Sequence, residues 1–252
     1  MNPLYFGSAA RRIFGLYEPA SSTGTPLRAA VLCYPWGHEY LCAHRAMRQL
    51  TTRLTGVGFH TLRFDYFGTG DSGGEMTDAD LKGWECDAAF AVDEIQEIVG
   101  AAKITLIGLR LGAVVAARLA AKHTDIIDAL VLWDPVMSGE EYLQQIGAAA
   151  DKSSTPVDAD GNIELYGFPM TKGMIRDIRS IQPECLTSGT LGRVLTLVTE
   201  RLPSHERYVQ LCSRSEPNPI EFMSDVRPWL EDTSQAGHLP VGALQRIVDW
   251  LE

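Results

Sequence analysis

The chain has 252 residues, of which 45% are hydrophobic and 21% are charged. This length and composition predict one folded domain with a sizeable core and exclude a largely disordered chain. The formal net charge of -10 argues against nucleic acid as a partner, because binding to the phosphate backbone depends on clustered lysine and arginine.

The N-terminus and the cysteines bear on the location of the protein. Residues 1–6 contain no basic stretch followed by an apolar one, so we predict no signal peptide. No run approaches the roughly 18 consecutive apolar residues of a membrane span. The five cysteines lack C-x-x-C spacing, which predicts reduced thiols in a cytoplasmic protein. We expect neither a cofactor nor a metal, and the oligomeric state stays open.

Strands and helices alternate through the first half of the chain. Apolar runs predict strands over residues 12–17, 29–34, 59–64, 103–107 and 127–133. Helices are predicted over residues 44–54, 78–99 and 111–122, with Thr77 or Asp78 as the N-cap of the second. This alternation indicates an α/β class with a mostly parallel sheet covered by helices on both faces.

The regular alternation stops after residue 135. Residues 136–192 are mixed in composition and too long for an ordinary connection within a compact domain. We therefore predict a cap inserted into a core formed by residues 1–135 and 193–252. Beyond the cap, strands are expected over residues 193–199 and 220–226. Pro240 opens a last helix whose apolar residues lie on one face, namely Leu244, Ile247, Val248 and Leu251.

The segment Gly108-Leu109-Arg110-Leu111-Gly112 lies between a predicted strand and an alanine-rich helix. This is the context of a G-x-S-x-G nucleophile elbow, where two glycines allow a sharp turn and the middle side chain projects into the site. Here the middle residue is Arg110. A guanidinium stays protonated and has no nucleophilic lone pair, so a serine mechanism cannot run at this position.

Five segments together resemble the α/β-hydrolase superfamily, and within it the serine-aminopeptidase-like branch. In that branch the chain is similar to the exosortase-A-system-associated hydrolase-like proteins, which also carry an arginine at the elbow. The segments are Cys33–Glu39, Phe64–Ser72, Gly108–Gly112, Leu132–Val136 and Gly237-His238. The resemblance implies an α/β-hydrolase fold with an inserted cap, and the chain departs from the wider superfamily at the nucleophile.

The resemblance also implies catalytic roles. His238, just before the last helix, stands where this fold places its general base. Its acidic partner is either Glu200, after the strand predicted over residues 193–199, or Asp134, after the preceding strand. The alternative for His238 is a neutral, hydrogen-bonded core histidine.

The loop that holds Trp36, Gly37 and His38 corresponds to the oxyanion-hole loop of the fold. Its donors are expected to be backbone N–H groups of this loop and of Leu111. His38 and Glu39 can instead form an ionisable pair in the site, and the alternative for that pair is a solvent-facing position.

Arg110 itself has two interpretations. As a fixed cation it can hold a carboxylate, a phosphate or a developing oxyanion. Alternatively, it forms an internal ion pair with Asp134 or Glu200, because a buried guanidinium needs a partner. Cys42 and Ser72 are the candidates for a replacement nucleophile, although such a cysteine is more often an inert thiol and such a serine more often caps its own turn.

Two functional hypotheses follow. In the first, the protein is an enzyme that acts on a small acyl compound, an ester or thioester in a biosynthetic pathway. His238 transfers the proton, Arg110 anchors or polarises the substrate, and water or a group on the substrate is the nucleophile. In the second, the protein is an inactive pseudo-hydrolase that binds a ligand or a protein partner through the old pocket.

Overall fold

The computed structural model describes the chain except for residues 23–26, 101–102, 151–160, 187–192, 213–219 and 231–237 and the side chains of residues 148–150 and 212. Its strands are β1 (Asn2–Ser8), β2 (Arg11–Glu18), β3 (Arg28–Cys33), β4 (Phe59–Phe64), β5 (Ile104–Leu109), β6 (Ile127–Trp133), β7 (Ile163–Leu165), β8 (Phe168–Met170), β9 (Arg193–Val198) and β10 (Ile220–Phe222). Its helices are α1 (Gly37–Gly56), α2 (Leu81–Val99), α3 (Leu111–Lys122), α4 (Gly139–Ala150), α5 (Lys172–Arg179), α6 (Pro203–Cys212) and α7 (Val241–Leu251).

Eight of these strands form one sheet in the order β1-β2-β4-β3-β5-β6-β9-β10. The strands β1, β2 and β4 pair antiparallel. All other neighbours in this order, from β4 through β3 to β10, pair parallel. The predicted mostly parallel α/β sheet is therefore confirmed. Ligands bind beyond the carboxyl ends of the strands in sheets of this type. The segments that follow β3, β5, β6 and β9 meet at that edge.

The central strands are covered on both faces. Every residue of β5 and all but the first residue of β3 are buried, which explains why both read as continuous apolar runs. Helices α2 and α3 contact each other, as do α1 and α7, and each pair packs on strands of the sheet. Within the described ranges, none of the helices combines the length and apolarity needed to cross a bilayer.

Element boundaries match the prediction at several elements of the core. Strands β4 and β6 and helix α3 have the predicted limits. Helix α1 begins at Gly37 rather than residue 44, because the extended residue Trp36 leads directly into it. Helix α2 begins at Leu81, and its N-cap is Asp80 rather than Thr77 or Asp78.

Two edge strands differ from the prediction. Strand β1 was not predicted, because Phe6 is its one buried residue and the strand has no apolar run. Strand β10 ends at Phe222 instead of residue 226. Both strands lie at the ends of the sheet, where burial leaves the weakest signal in the sequence.

The connection between β6 and β9 is the long segment predicted as a cap. It contains α4, the antiparallel β7–β8 hairpin, α5 and a 3-10 turn over Pro183–Leu186. Because β6 and β9 are neighbours in the sheet, the whole segment is inserted at one place in the core. We call residues 136–192 the insertion; these limits stay a prediction, since residues 151–160 and 187–192 lie outside the described residues.

The two glycines of the elbow are required by packing. A Cβ at Gly112 would overlap the carbonyl oxygens of Cys33 and Tyr34, and a Cβ at Gly108 would overlap the backbone of Ala113. Helix α3 therefore approaches β3 and β5 more closely than a residue with a side chain would permit. This approach fixes the position of Arg110 between them.

We expect Gly112→Ala to lower the free energy of unfolding by about 1–3 kcal/mol or more, because the new methyl group forces the helix away from the sheet. Gly147→Ala in α4 is the matched control, since a Cβ there meets no atom within 4 Å. That change should be neutral or stabilising by up to about 1 kcal/mol. Urea unfolding of both variants is the measurement, and equal effects would contradict this account of the elbow.

Candidate active site

Arg110 occupies the turn between β5 and α3 in a strained conformation. Its φ of 54° and ψ of -119° lie in a region that a bulky residue rarely adopts. Backbone hydrogen bonds hold it, since its N–H donates to the Trp133 carbonyl at 3.1 Å and its carbonyl accepts from Val136 at 3.4 Å. The predicted elbow geometry is present, with a guanidinium in place of a hydroxyl group.

The Arg110 side chain is buried in a hydrogen-bonded network. Its Nε donates to Glu39 Oε1 at 2.9 Å, and its Nη2 donates to Gln145 Oε1 at 3.0 Å. The second oxygen of Glu39 accepts from the Tyr142 hydroxyl at 3.0 Å. Glu39 lies in the first turn of α1 and the other two partners lie on α4. The network therefore ties the elbow, α1 and the insertion together.

Two aromatic rings flank the same guanidinium. Its central carbon lies 5.2 Å from the ring centroids of both Tyr142 and Trp229, within the range of cation–π attraction. Burial alone lowers the pKa of Arg110, but the charge of Glu39 and the groups around it reverse this effect and leave the pKa raised. Arg110 is thus a permanent cation whose charge is balanced by Glu39.

The hydrogen bonds to Glu39 and Gln145 use two of the five N–H donors of Arg110, so three donors are left for other acceptors. In the part of the chain that the structure describes, no protein acceptor takes them. The side chain also contributes to the wall of a cavity. Donors in this situation need an oxygen from water or from a ligand.

The cavity beside Arg110 has a volume of about 510 Å³, which is within the range of small-molecule sites. Its walls combine aromatic, aliphatic and charged side chains. They are Trp36, His38, Glu39, Arg110, Gln145, Ile146, Tyr166, Glu200, Arg227, Trp229 and Leu230. No group of His, Cys, Asp and Glu side chains among the described residues could hold a metal ion.

The loop predicted to form an oxyanion hole lies at this cavity. Trp36 is buried, and His38, at the start of α1, is half-buried. Gly37 has a φ of +57°, and a Cβ there would touch the Phe168 ring. Leu111 is the first residue of α3, next to the elbow. The structure thus brings Trp36, His38 and Arg110 to one cavity.

The prediction that Arg110 forms an ion pair with Asp134 or Glu200 was wrong. Glu200 pairs with Arg227 at 3.1 Å on the cavity wall, and Asp134 accepts hydrogen bonds from Thr199. Glu39 takes the position instead, because α1 starts beside the elbow and directs its first turn toward it. The solvent-facing alternative for Glu39 was also wrong, since this residue is buried.

Asp134 lies after β6 with a φ of 41°. Its Oδ1 accepts from the Thr199 backbone N–H at 2.6 Å and from the Thr199 hydroxyl at 3.1 Å. Burial raises the pKa of Asp134 to about 7, although the hydrogen bonds from Thr199 and the charges of Arg110 and Arg227 act in the opposite direction. Asp134 is therefore a buried carboxyl group that can change charge near neutral pH.

His238 is exposed and precedes α7. Among the described residues, no hydrogen bond or ion pair joins it to Arg110, Asp134 or Glu200. It does not line the cavity. The structure therefore does not bring His238 together with the other predicted site residues, and its neighbour Gly237 lies outside the described residues.

The two alternative nucleophiles have different surroundings. The Ser72 hydroxyl donates to the Asp65 carbonyl at 2.6 Å and accepts from the Phe14 N–H at 2.8 Å, so it stabilises its own turn. Cys42 Sγ lies 3.4 Å from His38 Nε2 on the same helix. Neither of these residues lines the cavity.

Several residues that line the cavity or contact Arg110 carry no recognisable motif. Tyr142, Gln145 and Tyr166 come from the insertion, and Arg227 and Trp229 follow β10. Their contribution depends on how distant segments pack on the core. An acidic residue in the first turn is typical of a helix N-terminus. Glu39 lies in the first turn of α1, but the sequence placed the start of that helix at residue 44, so this signal was not recognisable.

A comparison with family models matches residues 28–158 to the serine aminopeptidase, S33, family of hydrolases. The match covers just over half of the chain. The chain belongs to this family.

Solved structures with the fold of this hydrolase family superpose on nearly the whole chain. Est1E from Butyrivibrio proteoclasticus, with ferulic acid bound, is 17% identical and has a TM-score of 0.74 over 98% of this chain and 99% of that chain. DcsB in complex with its substrate analogue is 17% identical, with a TM-score of 0.69 over 99% and 97%. Alpha/beta hydrolase domain-containing protein 10 from mouse is 15% identical, with a TM-score of 0.63 over 100% of both chains. These likenesses establish the fold alone, and no curated protein matches the sequence of the chain.

We expect Glu39→Gln to destabilise the protein by about 3–5 kcal/mol, because it leaves the buried Arg110 charge without a counter-ion. Glu140→Gln is the control, since it removes a charge from the exposed pair with Arg179. The control should leave the urea midpoint unchanged. A similar small effect in both variants would contradict a buried Arg110–Glu39 pair.

The stability of the protein should also depend on Asp134. Its folded-state pKa of about 7 exceeds the value of about 4 expected in the unfolded chain. The folded state therefore binds this proton more tightly, and its stabilising contribution is lost as pH rises from about 4 to about 7. Asp134→Asn removes this loss, so from pH 4.5 to pH 8 the variant should gain stability relative to the natural protein by about 3 kcal/mol. Urea titrations at several pH values measure this, and parallel pH profiles would contradict a raised pKa.

Proposed function

We propose that this member of the family is a serine-free enzyme that acts on a small acyl compound, an ester or a thioester. The proposal rests on one observation. At the elbow, a cation held by Glu39 lines the cavity with three N–H donors that no described protein group accepts. An acyl carbonyl or carboxylate oxygen is a suitable acceptor for these donors.

The proposed chemistry uses water as the nucleophile. His238 takes a proton from water, and the resulting hydroxide attacks the acyl carbon. The carbonyl oxygen becomes an oxyanion that is stabilised by Arg110 and by backbone N–H groups of the Trp36–His38 loop and Leu111. The bond to the leaving alcohol or thiol then breaks, and His238 returns the proton to it. No acyl-enzyme forms, because Arg110 cannot act as a nucleophile.

The acidic partner of His238 is part of the same proposal. Asp134 and Glu200 both follow strands at the carboxyl edge of the sheet, and both stay open for this role. Asp134 is buried and accepts hydrogen bonds from Thr199, whereas Glu200 pairs with Arg227 on the cavity wall. Pairing with either requires the exposed imidazole of His238 to turn inward when substrate is bound.

Known structures and the motif resemblance support an acyl ligand. The structure of Est1E contains ferulic acid, and that of DcsB contains its substrate analogue. The similarity to the exosortase-A-system-associated proteins, with their arginine at the elbow, agrees with a site that works without serine. A biosynthetic ester or thioester is the substrate class that we infer.

A second candidate function is ligand binding without catalysis. It is favoured by the burial of Arg110 in the network with Glu39 and Tyr142 and by the exposed position of His238. In this case Arg110 still binds the oxygen of a ligand, but no group in the cavity transfers a proton. Absence of turnover combined with ligand binding would favour this function.

Turnover of aryl esters and acyl-CoA thioesters should be compared among the natural protein, Arg110→Ala, Arg110→Ser and His238→Ala. We expect activity in the natural protein, a loss of roughly a hundredfold or more in Arg110→Ala and His238→Ala, and no labelling by fluorophosphonates. His123→Ala, at the opposite end of α3 from the elbow, is the control and should retain activity.

Covalent fluorophosphonate labelling of the natural protein would contradict a serine-free site. Activity gained only by Arg110→Ser would show that hydrolysis is not the native reaction. If all variants are inactive but a carboxylate still raises the Tm of the natural protein, the binding function is the correct one.

A further inference from the structure

The β7–β8 hairpin has an unusual residue at its tip. Tyr166 and Gly167 form a two-residue loop between the paired residues Leu165 and Phe168. Their φ angles are 54° and 81°. Two consecutive positive values are typical of a type I′ turn, in which Asn-Gly or Asp-Gly is strongly preferred. A tyrosine at the first position is strained, so the turn itself does not explain its presence.

The Tyr166 ring lies at the mouth of the Arg110 cavity. It stacks on the His38 imidazole, with centroids 4.7 Å apart and planes inclined by 18°. Both side chains line the cavity, and Tyr166 is 38% exposed. Strained residues tend to be retained where their position serves binding or catalysis.

The hairpin holds this ring in a defined place. The Phe168 ring packs edge-on against Trp36, with centroids 6.2 Å apart, and it also lies over Gly37. The strand that follows the tip is thereby fixed to the loop that begins α1. Tyr166 is presented over His38 by a supported hairpin.

The cavity walls are rich in flat side chains. Trp36, Tyr166, Trp229 and the His38 imidazole surround a space that also contains the donors of Arg110. Flat apolar surfaces favour stacked or edge-on contacts with an aromatic ring of the ligand. An alkyl chain would gain burial but none of these geometric contacts.

We infer that Tyr166 is a specificity-determining residue that, with His38, packs on the planar group of an aromatic acyl ligand whose oxygen is bound by Arg110. The contact between Arg110 and the ligand oxygen rests on the proposed function. The contact between Tyr166 and the planar group of the ligand is inferred from the hairpin tip and the cavity walls alone. Tyr166 touches the ligand but transfers no proton or electron.

The test uses cinnamate and hexanoate as probes, because both have a carboxylate and only one has an aromatic ring. Their affinities for the natural protein, Tyr166→Asn and Tyr166→Phe are measured by calorimetric titration, together with the Tm of each. Tyr166→Asn creates the preferred Asn-Gly turn, so its Tm should equal or exceed that of the natural protein. Its affinity for cinnamate should fall about tenfold, with hexanoate little changed, and Tyr166→Phe should retain cinnamate binding.

Equal cinnamate binding by Tyr166→Asn and the natural protein would overturn the inference. A Tm several degrees lower in Tyr166→Asn would overturn it as well, since the ring would then serve stability. Equal affinity of the natural protein for cinnamate and hexanoate would also overturn the inference.

Arg110→Ala separates this inference from the proposed function. Cinnamate affinity that falls in Tyr166→Asn but not in Arg110→Ala would support the role of Tyr166 and contradict the oxygen anchor. Affinity that falls in Arg110→Ala alone would support the anchor and overturn the inference. Failure of cinnamate to bind the natural protein would overturn both.

Discussion

The ion pair between Arg110 and Glu39 is the interaction on which the rest of the site depends. A guanidinium buried at a strand–helix turn is strongly unfavourable without a counter-charge. Glu39 supplies that charge, Gln145 accepts a second hydrogen bond from Arg110, and Tyr142 donates one to Glu39. Because these four residues belong to α1, the elbow and α4, one electrostatic requirement fixes the start of a core helix, the elbow side chain and the position of the insertion. The cavity is the space left beside this network.

At the elbow, close packing determines the backbone conformation and does not determine which side chain stands at position 110. Gly112 is needed because α3 lies against the backbone of Cys33 and Tyr34, and Gly108 is needed because β5 lies against the first turn of α3. This requirement is steric and does not depend on which side chain stands between the glycines. The backbone conformation typical of a nucleophile elbow is therefore retained with an arginine that cannot act as a nucleophile. In this chain, the elbow presents a positive charge to the cavity.

Much of the fold was predictable from sequence, for identifiable physical reasons. Strands β4 and β6 are buried, so apolar runs mark them, whereas β1 has one buried residue and gives no such signal. Trp36, His38 and Arg110 were expected together because they follow neighbouring parallel strands. Glu39, Tyr142 and Trp229 as neighbours of Arg110 were not predictable, since their contacts depend on where α1 begins and on how the insertion and the segment after β10 pack. The role of His238 stays a prediction.

The remaining N–H donors of Arg110 are proposed to bind an oxygen of the ligand. A crystal structure of the protein soaked with phenylacetate is the direct test. We expect a carboxylate oxygen within about 3 Å of the Arg110 guanidinium, with the Glu39 ion pair intact and the phenyl ring among the aromatic walls of the cavity. A carboxylate bound elsewhere, or an Arg110 whose donors are all taken by protein groups, would contradict it.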